Sequence, residues 1–313
     1  MSPSIPPSSV FLDWSCVRYS NRWVSVRIRL SLGSRKISIQ ISNDRFDSQK
    51  VIVDLGMLNQ KIIVCTENSK DTFLVSIHLD FSKSRNSNDQ HSSIACCTGT
   101  VVSTQNGIRT YWKNYREGFI SVIQLLLKMF QCKISTSFIC HCSKLFQPTI
   151  SKLFDLQLEF KMFCLKGSND ENVLWNQISN KLGLVECLRI FSNTTNPGFK
   201  PVITSWPQEI SILGSDWFTV EFLLACTCTT ITLEESHLEN KEMDKILREW
   251  RAGGLPNLKH LTIGSLNLTD NGEQILGINL NELNGMVIQT DDGSKTAAIE
   301  FNQHWIQMSV TPV

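Results

Sequence analysis

The chain has 313 residues, of which 42% are hydrophobic and 19% are charged, a composition typical of a folded protein with one or two domains. Its net charge of +1, with both signs interspersed, provides no long-range field for a nucleic acid or an anionic membrane, so we expect neither as a partner. No signal peptide is recognisable, so the eleven cysteines are interpreted as reduced thiols in the cytoplasm or nucleus.

The first part of the chain is predicted to contain strands. Residues 1–21 are rich in proline and serine and are predicted to be a loose segment. Residues 22–109 are predicted to be a β-rich region, because apolar residues alternate with polar ones. The pattern predicts a hairpin from Val24 to Ile41, strands at Val51–Asp54, Lys61–Cys65, Phe73–Leu79 and Thr100–Ile108, and an exposed loop at Ser82–Ser93.

Residues 110–313 are predicted to form an α/β domain. Apolar residues recur at helical spacing from Phe119 to Phe130, which predicts an amphipathic helix. Strands and helices then alternate along the chain. Strands are predicted at Lys133–Cys140, Glu159–Leu165 and Cys187–Phe191, and helices at Ile150–Gln157 and Glu171–Leu182.

The stretch from Ile210 to Leu276 gives the strongest pattern, with three strands separated by two helices. Strands are predicted at 210–213, 229–233 and 258–263, the last carrying Leu258, Leu261 and Ile263. Such alternation indicates a parallel sheet, because parallel neighbours need long connections between them.

The two helices of this stretch have recognisable ends. Ser215 is a candidate cap for the first helix, which carries Trp217, Val220 and Leu224. Ser236 and Glu239 are in capping-box register for the second. In that helix one face is predicted to be apolar and the C-terminus to be closed by two glycines; the residues are Met243, Ile246, Leu247, Trp250, Gly253 and Gly254.

The strand starts recur every 20 to 30 residues, which is the range of leucine-rich repeats. We therefore expect a leucine-rich-repeat-like curved layer of short parallel strands and helices. A β-hairpin is predicted to close the domain, with strands at Met286–Thr290 and Lys295–Phe301 joined by a turn at Asp292 and Gly293.

No group of residues gives a strong indication of a metal-binding or catalytic site. Cys132 with Cys140, His141 and Cys142 has the residue types of a zinc site, but its spacing does not fit a zinc knuckle, and we interpret these and the other cysteines as ordinary thiols. Trp217 and Trp250 are interpreted as core residues. No nucleotide-binding or metalloprotease motif is present, so no catalytic residue, cofactor or metal is predicted.

Four segments, Asp216–Leu224, Ile231–Ser236, Leu247–Gly254 and Leu258–Ile263, resemble the nematode F-box-associated domain of type 2. Gly285–Gly293 followed by Ala297–Ile299 is similar to the closing hairpin of that family, and the resemblance covers roughly residues 110–310. It implies a non-enzymatic recognition domain that binds a protein substrate or partner for a Skp-cullin-F-box ubiquitin ligase.

The family normally begins with an F-box, a helical module that docks on a Skp-family adaptor. Residues 30–36 are similar to the end of such a box, but its Leu-Pro opening has no counterpart upstream, and the alternation there predicts strands. We therefore interpret the F-box as absent or degenerate. A Skp-family adaptor is expected as a partner only if the N-terminus forms a divergent F-box.

Two alternatives to a recognition component of a ligase stay open. One is a protein-interaction module with no ligase coupling. A cysteine- or zinc-dependent hydrolase is the alternative from a different class, and it requires a cysteine and a histidine to converge in a cleft.

Overall fold

The computed structural model describes residues 49–55, 61–66, 72–79, 91–93, 100–104, 107–139, 143–166, 171–191 and 202–313. The predicted loose segment 1–21, the hairpin from Val24 to Ile41, the F-box remnant at 30–36 and residues 140–142 lie outside these ranges. The chain divides into two compact units, one formed by Met1–Lys50 and Ile62–Cys132 and the other by Val51–Lys61 and Lys133–Val313.

The elements are numbered along the chain. The strands are β1 (Gln49–Leu55), β2 (Lys61–Thr66), β3 (Thr72–Leu79), β4 (His91–Ser93), β5 (Thr100–Thr104), β6 (Gly107–Trp112), β7 (Ile134–Ile139), β8 (Phe160–Lys166), β9 (Val185–Phe191), β10 (Glu209–Leu213), β11 (Thr230–Ser236), β12 (His260–Ser265), β13 (Val287–Gln289), β14 (Lys295–Asn302) and β15 (Trp305–Pro312). The helices are α1 (Tyr115–Phe130), α2 (Ser143–Asp155), α3 (Glu171–Ile178), α4 (Val220–Ala225) and α5 (Asn240–Arg251), with short 3-10 turns at Leu182–Leu184 and Leu280–Leu283.

In the first unit, β3 and β6 pair in parallel, and β5 pairs antiparallel with both β4 and β6. Helix α1 begins after Asn114, whose side-chain oxygen accepts hydrogen bonds from the backbone amides of Arg116 and Glu117. The predicted apolar stripe of α1 is buried, and Gly118 faces the indole of Trp112.

Two sequence predictions in this unit are corrected. The single strand expected at 100–108 is two strands, β5 and β6. Gly107 opens the second, where its missing side chain lets the backbone reach Leu74: a Cβ there would lie 1.9 Å from the Leu74 carbonyl oxygen. Residues 91–93 of the loop expected at 82–93 form β4, a three-residue strand too short to show an alternating pattern, and residues 82–90 lie outside the described ranges.

The second unit is mixed α/β, with a large sheet and few helices. Its strands follow the order β13, β14, β15, β12, β11, β10, β9, β8, β7, β1. From β7 to β12 each strand pairs in parallel with the next strand along the chain, and β1 joins in parallel beside β7. The hairpin of β13 and β14 confirms the predicted closing pair, whereas β15, antiparallel between β12 and β14, was not predicted.

Alternation along these strands buries one side of the sheet. Ile210 and Ile212 of β10 align with Ile231 and Leu233 of β11, and all four are almost fully buried. The apolar face of α5 and Leu223 of α4 are buried as well, so we place the core between the helices and this side of the sheet.

Candidate functional site

The other side of the sheet carries polar residues. We call it the open face and define it by the residues of β9 to β12, β14 and β15 whose side chains alternate with the buried set. One of its rows crosses six strands in register, from Arg189 through Ser211, Thr232, Thr262 and Gln307 to Glu300. These residues are exposed or half-buried. The row beside it comprises Glu209, Thr230, His260, Ser309 and Ala298.

A β-bulge shapes the carboxyl end of this face. The register between β11 and β12 shifts between Leu233 and Ser236, and Glu235 takes a positive φ of 54°. Ser215, which is fully buried, donates to the carbonyl oxygen of Glu234 through its hydroxyl at 2.8 Å and its amide at 3.0 Å. The serine thus holds the bulge in place.

Serines recur at the end of the next two strands. The Ser265 hydroxyl donates to the carbonyl oxygen of Leu238 at 2.8 Å, and the Ser236 hydroxyl accepts the Leu238 amide at 3.1 Å. Ser236 and Ser265 are aligned across β11 and β12. These buried hydroxyls satisfy backbone groups where the chain leaves the sheet, and they bring the strand-end turns close together.

Both expected serine caps are therefore corrected. Ser215 does not cap α4, which begins after Thr219, and Ser236 does not cap α5, because each serine is used at a strand end. Helix α5 begins after Glu239, whose amide donates to the Glu242 carboxylate at 2.9 Å. Glu239 is thus the N-cap residue instead of the third helical residue.

The other predicted residues support the fold and do not converge on one point. Trp250, Leu247, Leu261 and Ile263 are buried in the core, and Trp217 is half-buried with its ring against Phe218 and Phe222. Gly253 and Gly254 close α5: Gly253 has a φ of 92°, and their amides donate to the carbonyl oxygens of Trp250 and Glu249. Asp292 and Gly293 form the turn between β13 and β14.

The turn also holds a strongly perturbed carboxyl. The side chain of Thr290 and the amide and hydroxyl of Ser294 donate to Asp292 and lower its pKa to about 2. Asp292 is fully exposed, so these bonds order the turn rather than create a reactive group.

The thiols of the described residues are not arranged for catalysis. Cys226 and Cys228 are buried before β11, where the adjacent Cys226 sulfur and burial raise the pKa of the Cys228 thiol. The Cys228 thiol donates to Cys226 and lowers the pKa of that thiol, but both residues are almost fully buried and out of reach of a substrate. In the described ranges, no three histidine, cysteine or carboxylate side chains are grouped so that they could hold a metal ion.

Most of the charged side chains of α5 are in ion pairs, in contrast to the carboxylates of the open face. On α5, Arg248 binds the Asp244 carboxylate at 2.7 Å and Lys241 binds Glu239 at 2.7 Å, while Lys245 lies 3.7 Å from Glu221 of α4. The carboxylates of the open face and its bulge form no ion pair within the described part of the chain; they are Glu209, Glu234, Glu235 and Glu300.

Trp305 is the feature of this face that the sequence patterns did not indicate. It is 39% exposed and lies over Gly264, the residue opposite it in β12. Leu266, 75% exposed, follows β12 at the same edge, where the Ser265 amide donates to the carbonyl oxygen of His304. The alternation of Ile306, Met308 and Val310 was the signal that could have revealed β15, and with it Trp305.

The comparisons with known proteins found a similarity to one part of the chain. Searches among curated proteins and among solved structures found no significant match. Within the residues that the structure describes, none of the helices combines the length and apolar character needed to cross a bilayer. One family model matches, that of F-box associated proteins, over residues 201–263, which span β10, α4, β11, α5 and most of β12. Over these residues the chain is similar to F-box associated proteins.

Proposed function

We propose that this chain is a non-catalytic protein-recognition module that binds its partner on the open face. The observation that carries the proposal is the contrast between the two sides of the sheet. The helices and the core occupy one side, whereas the other presents an in-register polar row and carboxylates that have no ion-pair partner among the described residues. The F-box associated match supports a role in protein interaction.

The finer architecture also belongs to the proposal. We infer that the domain predicted for residues 110–313 is a leucine-rich-repeat-like curved layer. Parallel pairing between chain neighbours from β7 to β12 supports this, as do the helices α4 and α5 that connect β10, β11 and β12. A sheet with wide helices on one side and short strands on the other curves toward the strands, which makes its free face a docking surface.

Substrate recognition for a Skp-cullin-F-box ubiquitin ligase is the cellular role that the resemblance implies, in the cytoplasm or nucleus. Coupling to the ligase depends on residues 1–48, which lie outside the described ranges. A pull-down with purified Skp-family adaptors, beside a control protein with an intact F-box, tests it. Stoichiometric binding would support an adaptor role, and absence of binding by the folded protein would support an interaction module without ligase coupling.

Site-specific photo-crosslinking tests the recognition surface. A photoreactive amino acid replaces Thr232 or Thr262 on the open face, and in matched controls it replaces the exposed Lys245 or Glu249 of α5. We expect a cell extract to yield one recurring protein adduct from the open-face positions, which purified partner reproduces. Equal adducts from both sides, or adducts from α5 alone, would contradict the proposed surface.

A cysteine- or zinc-dependent hydrolase is not proposed. Cys164, Cys226 and Cys228 are buried, and in the described ranges no set of ligands converges as a metal site would require.

A further inference from the structure

The carboxyl end of the open face combines an exposed aromatic ring with negative charge. Trp305 lies between two carboxylates: Glu234 is in the bulge of β11 on one side, and Glu300 is in β14 on the other, opposite Gln307. At about 4.8 Å per strand and 3.4 Å per residue, the three strand spacings from β11 to β14 and an offset of two residues along the strands place these positions roughly 16 Å apart.

The surrounding chain adds no positive charge. From His260 to Ser294 there is neither lysine nor arginine, whereas the segment that follows β12 carries the acidic residues Asp270, Glu273 and Glu282. Lys241, the cation nearest the start of α5, is bound to Glu239, and its pKa is raised by that contact and by Glu242 and Glu273. Arg189 is exposed on the same face but lies two strands beyond β11.

From this charge complementarity we infer that the carboxyl end of the open face binds a basic segment of a partner protein that places an apolar side chain against Trp305. An extended segment would set lysine or arginine beside Glu234 and Glu300, with its apolar residue between them over the indole. Arginine suits this arrangement, because its guanidinium pairs with carboxylates and also stacks on aromatic rings. The inference rests on the proposed function and names the chemistry of its partner.

Two labelled peptides of about ten residues test the inference by fluorescence anisotropy with the full chain; each is long enough, when extended, to cross these strands. One contains several arginines or lysines around a central leucine, and the other has glutamate in place of every basic residue. We expect saturable binding of the basic peptide, weakening as salt is raised, and at least roughly tenfold weaker binding of the acidic one.

Three variants locate the binding. Trp305→Ala and the double variant Glu234→Gln/Glu300→Gln should each weaken the basic peptide by roughly tenfold, as expected for residues central to an interface. Glu249→Gln removes an exposed carboxylate on α5 and should leave binding unchanged. The double variant preserves the side-chain shapes, so it remains informative if Trp305→Ala is unstable.

The inference is overturned if neither peptide binds, if both bind equally, or if the two open-face variants bind like the unmodified chain. Crosslinks from Thr232 and Thr262 distinguish this failure from that of the proposed function. If these two positions give a protein adduct but neither peptide binds, the open face binds a partner of another chemistry. If no adduct forms either, the proposed recognition surface is itself rejected.

Discussion

The indole of Trp305 covers Gly264, the residue opposite it in the antiparallel pair of β12 and β15. A Cβ built on Gly264 would lie 3.0 Å from three carbons of the ring. The glycine therefore provides the space in which a large aromatic side chain lies flat on the sheet while still being 39% exposed.

Gly264→Ala should consequently displace the ring of Trp305. Because the indole is partly exposed and free to shift outward, we expect a loss of only about 1 kcal/mol in the free energy of unfolding, at the low end of overpacking costs. The indole N–H resonance of Trp305 should move, and urea denaturation should give the free energy. Ser309→Ala, on the same face, is the control, and an unmoved indole resonance would contradict the predicted contact.

Gly118→Ala should be more damaging, although alanine is the better helix former. A Cβ at Gly118 would lie 2.2 Å from Cγ of the buried Trp112. We expect a loss of roughly 1 to 3 kcal/mol in the free energy of unfolding, because neither the new methyl group nor the ring of Trp112 has room to move. Gln124→Ala, at an exposed position of α1, should be neutral or slightly stabilising in the same chemical denaturation. Equal stability of the two variants would be inconsistent with close packing at Gly118.

Asn240→Ala should loosen the segment that follows β12. The buried Asn240 amide donates to the Thr269 carbonyl oxygen at 2.6 Å and to the Asn271 side chain at 3.1 Å, and its oxygen accepts the Thr269 amide at 3.3 Å. Leaving these groups unpaired should cost about 1 to 3 kcal/mol. Asn257→Ala removes one exposed bond to the Thr227 carbonyl and should change stability by no more than about 0.5 kcal/mol. Hydrogen exchange at Thr269 should become faster only in the first variant.

Trp250→Ala should destabilise the second unit by roughly 3 to 5 kcal/mol, because the indole is 1% exposed and its loss leaves a large cavity. Trp217→Ala should cost less, since Trp217 is only half-buried. Melting temperatures measured by calorimetry would show the order. A melting temperature of Trp250→Ala equal to that of the unmodified chain would refute its place in the core.

Asp292 should titrate well below an ordinary aspartate. Its pKa is lowered to about 2 by hydrogen bonds from Thr290 and Ser294, whereas an unfolded aspartate titrates near 3.9. The hydrogen bonds to its charged form therefore stabilise the turn above about pH 4, and that contribution is lost as the pH falls toward 2. Carbon NMR of the carboxyl group would give the pKa, and Asp292→Asn should remove this pH dependence. A measured value near 3.9 would show that the turn does not hold the carboxylate.

Local patterns predicted many of the elements but not their detailed ends. The stripe from Phe119 to Phe130 is visible in one stretch of sequence, and α1 follows it. The start of α5 was misplaced because Ser236-x-x-Glu239 fits the capping-box motif, whereas Glu239-x-x-Glu242 has a glutamate where that motif has serine or threonine. Serine is the better cap, but the backbone groups at the end of β11 require its hydroxyl, and that requirement is tertiary.

The open face could not be derived from one sequence either, because it too depends on tertiary structure. Alternation shows that Thr232 and Thr262 face away from the core, but only the pairing of β11 with β12 brings them side by side. Trp305 becomes a neighbour of Gly264 through an antiparallel strand that returns from the end of the chain. Long-range pairing of this kind leaves no periodic signal.

The position of β1 has a consequence for how the sheet assembles. Strands β7 to β12 each meet a chain neighbour, whereas β1 reaches β7 only after the chain has passed through β2 to β6 and α1. Closing so long a loop costs entropy before any hydrogen bond is gained, so the pairing of β1 should form late in folding.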